Sequence, residues 1–404
     1  MKNNITKRNL TKYEMRRAML RKHKIQRYFK RLLLIKRGFM FKTLRTSTIK
    51  VTKPKISVGE GLAILIGTQI GAGVLGLPYA AAQVGLIPAI IILFGIMGIL
   101  LLTALLTLKL SVEMGGAQMS TIAYRTLGSL GGWIMYISIS VMSFGALLAY
   151  ISGMGSVMSS LFSINTTLGA LIFWIFASII IYMGIEASGK TELIMNYVMI
   201  LLFIGVIIML VPHANVKNAL YVKWGGIFAI TGVSIFALGC HMVIPDVYKG
   251  IGDYNKTKRV IVLSFLIPTI IYSLFMAAFL LVYGAKTPQI ATQALSSFYG
   301  KFGEIVGNVI PFIAIITSYI GVGLAQQSNS VEYINMKKWL AWSLTVVPPL
   351  LVYLLGISNF TYILAFAGST GDLTAFIILP LAMWLVKWLR NYKKIKIPSP
   401  IVRR

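Results

Sequence analysis

The stretch "GTQIGAGVLGLPYA", residues 67–80, lies inside an apolar run long enough to cross a bilayer. Gly67, Gly71, Gly73 and Gly76 each cost about 1 kcal/mol relative to alanine in a helix interior, and Pro78 lacks a backbone donor. Hydrocarbon cannot satisfy a freed peptide group, so a break at this depth must be buried in protein or line a cavity. Gly67 and Gly71 also form a GxxxG spacing, which by itself serves close helix packing. The choice between packing and binding turns on whether a second break matches the first.

The surroundings are those of a membrane protein. The 404 residues are 57% apolar and only 12% charged, roughly half the ~25% charge of an ordinary soluble domain. Apolar windows recur at 57–82, 86–111, 131–161, 168–184, 191–211, 225–245, 259–284, 304–328, 338–356 and 360–388. Ten spans divide into two halves of five with opposite orientations, and inverted repeats of this kind place a broken helix first in each half. The sixth span reads "SIFALGCHMVIPDVY", residues 234–248, and aligning Pro78 with Pro245 sets Gly73 against Cys240 and Ala72 against Gly239. The expected fold is therefore all-α and polytopic, about ten transmembrane helices as a 5+5 inverted repeat, with helices 1 and 6 broken at the midplane.

Lys and Arg number 39 against 10 Asp and Glu, a net charge of +29, and the excess sits mainly at the two ends. Residues 1–55 hold 11 Lys and 8 Arg against Glu14 alone. A basic surface also suits nucleic acid, but attachment to a membrane domain makes anionic lipid headgroups the partner. Met15, Met19, Ile25, Tyr28, Phe29, Leu32, Ile35 and Phe39 recur at near-helical intervals. Residues 1–55 thus read as a basic cytoplasmic extension, either an amphipathic surface helix or a disordered tail. Residues 56–390 form the transporter domain and 391–404 a basic cytoplasmic tail. The short loops place Arg125, Lys190, Lys249, Lys256, Lys258, Arg259, Lys337 and Lys338 inside, against Lys217, Lys223, Lys286 and Lys301 outside. Both termini are expected to be cytoplasmic, in a multi-pass protein of the cell membrane. The lone Cys240 excludes an intrachain disulfide, and no Cys/His cluster has zinc-ligand spacing.

An unwound segment at mid-depth presents free N–H groups and free carbonyls together. The N–H groups, with the positive end of the following half-helix, suit a carboxylate. The carbonyls, with the negative end of the preceding half-helix, suit an ammonium or a small cation. A free amino acid carries both charges on one carbon.

"GTQIGAGVLGLPYAAAQVG" (67–85) closely resembles the first helix of the amino acid/auxin permease group, especially the bacterial aromatic (hydroxy and aromatic) amino acid permeases. "LLAYISGMGS" in the third span, "FALGCHMVIPDVYKG" in the sixth and "TSYIGVGLAQQ" in the eighth fit it, and "LAFAGSTGDLTAFIILP" in the tenth resembles it more loosely. The resemblance implies a secondary transporter of the amino acid–polyamine–organocation superfamily, with helices 1, 3, 6, 8 and 10 around the site. It implies no ATP hydrolysis, in keeping with the lack of a GxxxxGK[ST] loop. No cofactor follows from it, only a coupling ion, H+ or Na+. The aromatic permeases commonly have an eleventh helix, and this chain has ten spans.

Gly71, Ala72 and Gly73 are the expected amides for a substrate carboxylate. The carbonyls of Gln69 and Ile70, with Phe236 and Ala237, are expected to meet its ammonium. By resemblance, Tyr150 is a substrate-facing aromatic, with core packing as its simpler role, and Thr317 and Ser318 match a hydroxyl pair that binds sodium in some relatives. Asp372 stands near the middle of the tenth span, where charge is expensive. It is read as a proton-coupling carboxylate or a counter-charge to the ammonium, unless the helix is interrupted at "GSTGD". His241, just after the sixth-span break, reads as a hydrogen-bonded core histidine. Ser57 and Glu60 form an S-x-x-E capping box, and Glu332 pairs with Lys53 or Lys55 as an inner gate.

The function expected is secondary active import of a neutral amino acid, aromatic ones included, by alternating access. A non-transporting amino-acid sensor of the same fold is the alternative, because the basic extension could dock a partner. A divalent-metal carrier is set aside: the first span has no Asp or Asn, and Met242 has no supporting ligands.

Overall fold

The computed structural model describes residues 56–184 and 189–396, where all regular structure is helical. The expected basic extension, with Lys53 and Lys55, and residues 397–404 lie outside the described residues. The first span is two helices, α1 (Val58–Gln69) and α2 (Gly73–Ala82), bent by 48° across a three-residue break. α1 begins in the expected capping box: Glu60 N–H donates to Ser57 Oγ at 3.1 Å and Ser57 N–H to Glu60 Oε2 at 2.7 Å.

α3 (Leu86–Glu113), α4 (Met119–Phe162), α5 (Thr166–Met183) and α6 (Gly189–Leu210) follow. Gly128 takes φ 82°, ψ −168° inside α4, so the long third span is a short helix kinked into a long one. The sixth span also breaks. α7 (Ile227–Leu238) and α8 (Ile244–Ile251) are separated by Gly239, Cys240 and a 3₁₀ turn over His241–Val243. Pro245 falls in the first turn of α8, where a missing N–H is harmless.

After α9 (Tyr254–Tyr283) come α10 (Ser296–Ile334), α11 (Lys338–Leu354) and α12 (Phe360–Ala367). α12 passes without a break into a π-helical segment, Gly368–Ile378, and then into α13 (Leu379–Lys396). The tenth span is thus widened at "GSTGD", not cut. Leu379 N–H donates to Thr374 O, five residues back. Pro380 has no N–H, and its ring clashes with the carbonyl four back, which disfavours an ordinary α turn here. α13 also outruns the expected end at 388, because no proline intervenes before Pro398.

Among the described residues seven helices are long and apolar enough to cross a bilayer, and α1–α2 make an eighth as a bent pair. Two shorter apolar helices, Tyr197–His213 and Lys338–Leu354, occupy the other expected positions, so a count of ten rests on these two crossing as well. The exterior carries Ile91, Leu201 and Leu355, while Gln69, Thr103, Asn308, Gln326 and Asp372 are buried. That distribution suits lipid outside and a polar interior within.

Two packing groups organise the helices. α4 packs on α5, α10 and α11; α9 packs on α1, α2 and α3, and α7 on α2 and α3. α12 and the π segment touch both groups, lying between α4 and α7. Glycine makes this possible: a Cβ on Gly368 would overlap the Gly232 carbonyl of α7, and one on Gly371 the Met142 backbone of α4.

Candidate functional site

The first break is an inverse γ-turn. Ile70 has φ −77°, ψ 62°, and Gly71 N–H donates back to Gln69 O at 2.8 Å. Ala72 N–H reaches Ser318 Oγ of α10 at 3.3 Å. Gly73 N–H and Ile70 C=O find no partner among the described residues. Of the three amides expected to be free, Gly71 is therefore already used, Ala72 leans on Ser318, and Gly73 alone is open.

A clasp joins the two breaks. Gln69 Nε2 donates to Leu238 O at 3.0 Å and Cys240 Sγ at 3.3 Å. Tyr272 of α9 donates to Gln69 O at 2.6 Å, with Ala237 O at 3.4 Å. This corrects the expectation for Gln69: its carbonyl accepts from both Gly71 and Tyr272 and is not free for an ammonium. Ala237 O is likewise partly engaged. On the other side a Cβ at Gly73 would lie 3.1 Å from Ala237 Cα, so the two backbones nearly touch.

Between the breaks is a cavity of about 40 Å³. Gln69, Gly71, Gly73, Tyr150, Phe236, Ala237 and Asp372 line it, all expected from sequence. The Tyr150 ring meets Phe236 edge-on at 6.4 Å, and its hydroxyl lies beside Ser318. Asp372 is buried in the π segment, and its Oδ1 has no partner among the described residues. The volume admits a few waters, at about 10–15 Å³ each, and falls far short of the roughly 300 Å³ of small ligand pockets. The site is shut in this conformation.

Other expectations are not met. Thr317 is exposed, and its Oγ1 donates to Ile313 O at 2.9 Å and Ala314 O at 3.2 Å, so no hydroxyl pair forms with Ser318. The reason is helical: neighbours on α10 point about 100° apart. Ile70 packs its side chain in the core, and Glu332 is exposed, its expected lysines outside the described residues. His241 is the buried, bonded histidine expected, with Nε2 2.9 Å from Thr103 Oγ1 and its ring stacked on Phe376 at 4.8 Å. Sequence reasoning missed Met142, Met242, Val322 and Phe376 in the lining, and Tyr272 in the clasp. Val322 was within reach, one turn after Ser318; Tyr272 carried no local signal.

The two ends of the molecule differ. A cavity of about 490 Å³ lies by the loops at 163–165, 284–295 and 355–359, lined by Ser152, Ser156, Thr166, Gln289, Gln293 and Phe360 among others. The opposite end carries exposed polar contacts. Gln118 Nε2 donates to Asp246 Oδ1 at 2.6 Å, Lys249 pairs with Asp246 at 3.2 Å, and Lys387 pairs with Glu113.

The profile of the tryptophan/tyrosine permease family matches residues 54–396. Among curated relatives, "Glutamine transporter 2" of Aliivibrio fischeri is 26% identical over 339 residues, covering 79% of this chain and 86% of that protein. "Tyrosine-specific transport system 1" of Haemophilus influenzae is 25% identical over 356 residues, covering 81% and 87%. Among solved structures, MhsT in complex with L-phenylalanine superposes with a TM-score of 0.58 at 13% identity, covering 82% of this chain and 98% of MhsT. Mhp1, a nucleobase-cation-symport-1 family transporter in a closed conformation, gives 0.61 at 13%, covering 84% and 83%. At that identity the likeness is one of fold.

Proposed function

The chain belongs to the tryptophan/tyrosine permease family, a family of membrane transporters and not of enzymes, and from that premise we propose that it imports a neutral amino acid by proton-coupled alternating access. The observation that carries the reading is the facing pair of breaks, with Gly73, whose N–H is open, and Asp372 lining one cavity, and an open carbonyl at Ile70 within the first break. Gly73 N–H and the positive end of α2 receive the substrate carboxylate. Ile70 C=O and the negative end of α1 receive its ammonium. Met142, Met242, Phe236 and Phe376 give the side chain an apolar surround, which favours an uncharged residue. Relatives named for glutamine, tyrosine and tryptophan make those three the first substrates to test.

Asp372 is the proton carrier in this reading. Among the described residues it is the sole carboxylate lining the cavity, and the hydroxyl pair a sodium site would use is not assembled. The α1–α2, α3, α7–α8 and α9 group rocks against α4, α5, α10 and α11, with the 490 Å³ cavity as a vestibule on the outer face and both termini cytoplasmic. Protein reconstituted into liposomes should accumulate labelled amino acid under an inward proton gradient and not under a sodium gradient alone. Asp372→Asn should abolish accumulation while leaving counterflow exchange. Binding without flux under either gradient would make the protein a sensor, and unchanged accumulation in Asp372→Asn would remove that residue from coupling.

A further inference from the structure

On the side of the central cavity away from the vestibule, α10 buries amides and hydroxyls that the binding site does not use. Gln326, 7% exposed, donates from Nε2 to Ser140 Oγ at 2.8 Å and Ser330 Oγ at 3.3 Å. Ser330 Oγ in turn pairs with the Tyr136 hydroxyl at 2.9 Å, and Ser120 Oγ donates to Asn329 Oδ1 at 3.4 Å.

Two atoms are left over. Gln326 Oε1 and Asn329 Nδ2 are buried with no partner among the described residues. One accepts and the other donates, and they stand about one turn apart on one helix. Buried orphan groups of this kind cost about 1–3 kcal/mol each, and water answers an acceptor and a donor together. Towards the cavity, one turn before Gln326, is Val322, which lines the cavity with Asp372. Asp372 Oδ1 is itself a buried orphan.

We propose that Gln326 and Asn329 hold a short water chain that carries the coupling proton between Asp372 and the face opposite the vestibule, with Val322 as the barrier along it. The proposal rests on Asp372 being the proton carrier. The carboxylic acid gives its proton to the first water, that water passes one of its own to the next, and the carboxylate remains. Gln326 and Asn329 do not ionise; they orient the water, and are positioning residues.

The readout separates net transport from exchange, since exchange lets the carrier keep its proton. The probe is whichever of L-glutamine, L-tyrosine and L-tryptophan the wild-type protein takes up fastest in proteoliposomes. Gln326→Leu and Asn329→Leu should slow proton-driven net uptake by about tenfold, the effect of roughly 1.4 kcal/mol on a barrier, while counterflow stays within about twofold. Asn329→Ser, which leaves room for water, should recover net uptake. If net uptake and exchange fall together, or neither moves, the cluster only packs helices and the proposal is overturned. Val322→Ser leaves the amides intact and should raise the passive proton leak seen by an internal pH dye; an unchanged leak also overturns it. Asp372→Asn in the same vesicles keeps the two readings apart. Loss of the proton drive there with Gln326→Leu unaffected sinks the water chain alone, whereas retained drive sinks the coupling role of Asp372.

Discussion

Replacing Gly71 with alanine tests whether α10 holds the first break in its observed shape. Gly71 has no positive φ, so alanine can adopt the backbone and the obstacle is steric. The new Cβ would overlap Ser318 Oγ, which must rotate away and release Ala72 N–H, now held at 3.3 Å. Ala72 is fully buried, and an unpaired buried N–H costs about 1–3 kcal/mol. Because that amide adjoins the position assigned to the substrate carboxylate, the cost should appear in substrate affinity. About 2 kcal/mol corresponds to a roughly thirty-fold higher half-saturation concentration. Ser318→Ala removes the bond and the obstacle together, so Gly71→Ala/Ser318→Ala should match Ser318→Ala alone. The cycle should show a coupling of about 1–2 kcal/mol. Half-saturation of uptake in proteoliposomes, measured for all four proteins, decides it. Additive effects, or a Gly71→Ala protein indistinguishable from wild type, would refute the contact as the cause.

Thr317→Val should leave uptake rate and ion dependence unchanged, because its hydroxyl only back-bonds to α10; loss of uptake would restore it to the ion site. Gly95→Ala on the outer face of α3 meets nothing within 4 Å and should raise thermal stability in detergent by about 1 kcal/mol, whereas Gly368→Ala meets backbone and should prevent a stable fold. Tyr272→Phe removes the one hydroxyl donor that serves Gln69 O, with Ala237 O as its distant second acceptor, and should cost about 1 kcal/mol in the same melting assay. Lys387→Glu sets two acids together and should slow uptake; the swapped Glu113→Lys/Lys387→Glu protein should recover, within the ~0.5–1 kcal/mol that a half-exposed pair contributes.

The breaks were legible because glycine and proline in an apolar run are an intrinsic signal, and the helix ends fall beside Gly71 and Gly239. Asp372 was legible for the same kind of reason, a charge where charge is costly. The helix neighbours that complete the site were not. Whether Thr317 or Ser318 faces α1 depends on the rotation of α10, which is set by packing against α4 and not by either residue. Tyr272 in α9 is one tyrosine among 19 until the fold brings it against Gln69. The π segment also escaped, since Gly368, Gly371 and Pro380 read equally well as a break; only close packing on α4 and α7 keeps the helix continuous there.

The clasp between the breaks has a consequence for the symmetry of the two halves. Aligned on Pro78 and Pro245, the counterpart of Gln69 in the other half is Phe236, and that of Tyr272 is Leu105. Neither can donate a hydrogen bond. Two identical inverted halves would give outward- and inward-facing states of equal energy, since each half simply takes the other's place. A clasp built from one half's glutamine and the other's tyrosine has no mirror image across the membrane plane. At this joint the two halves are not equivalent, and because the clasp ties α1, α7 and α9 to one another it binds the two breaks into a single unit.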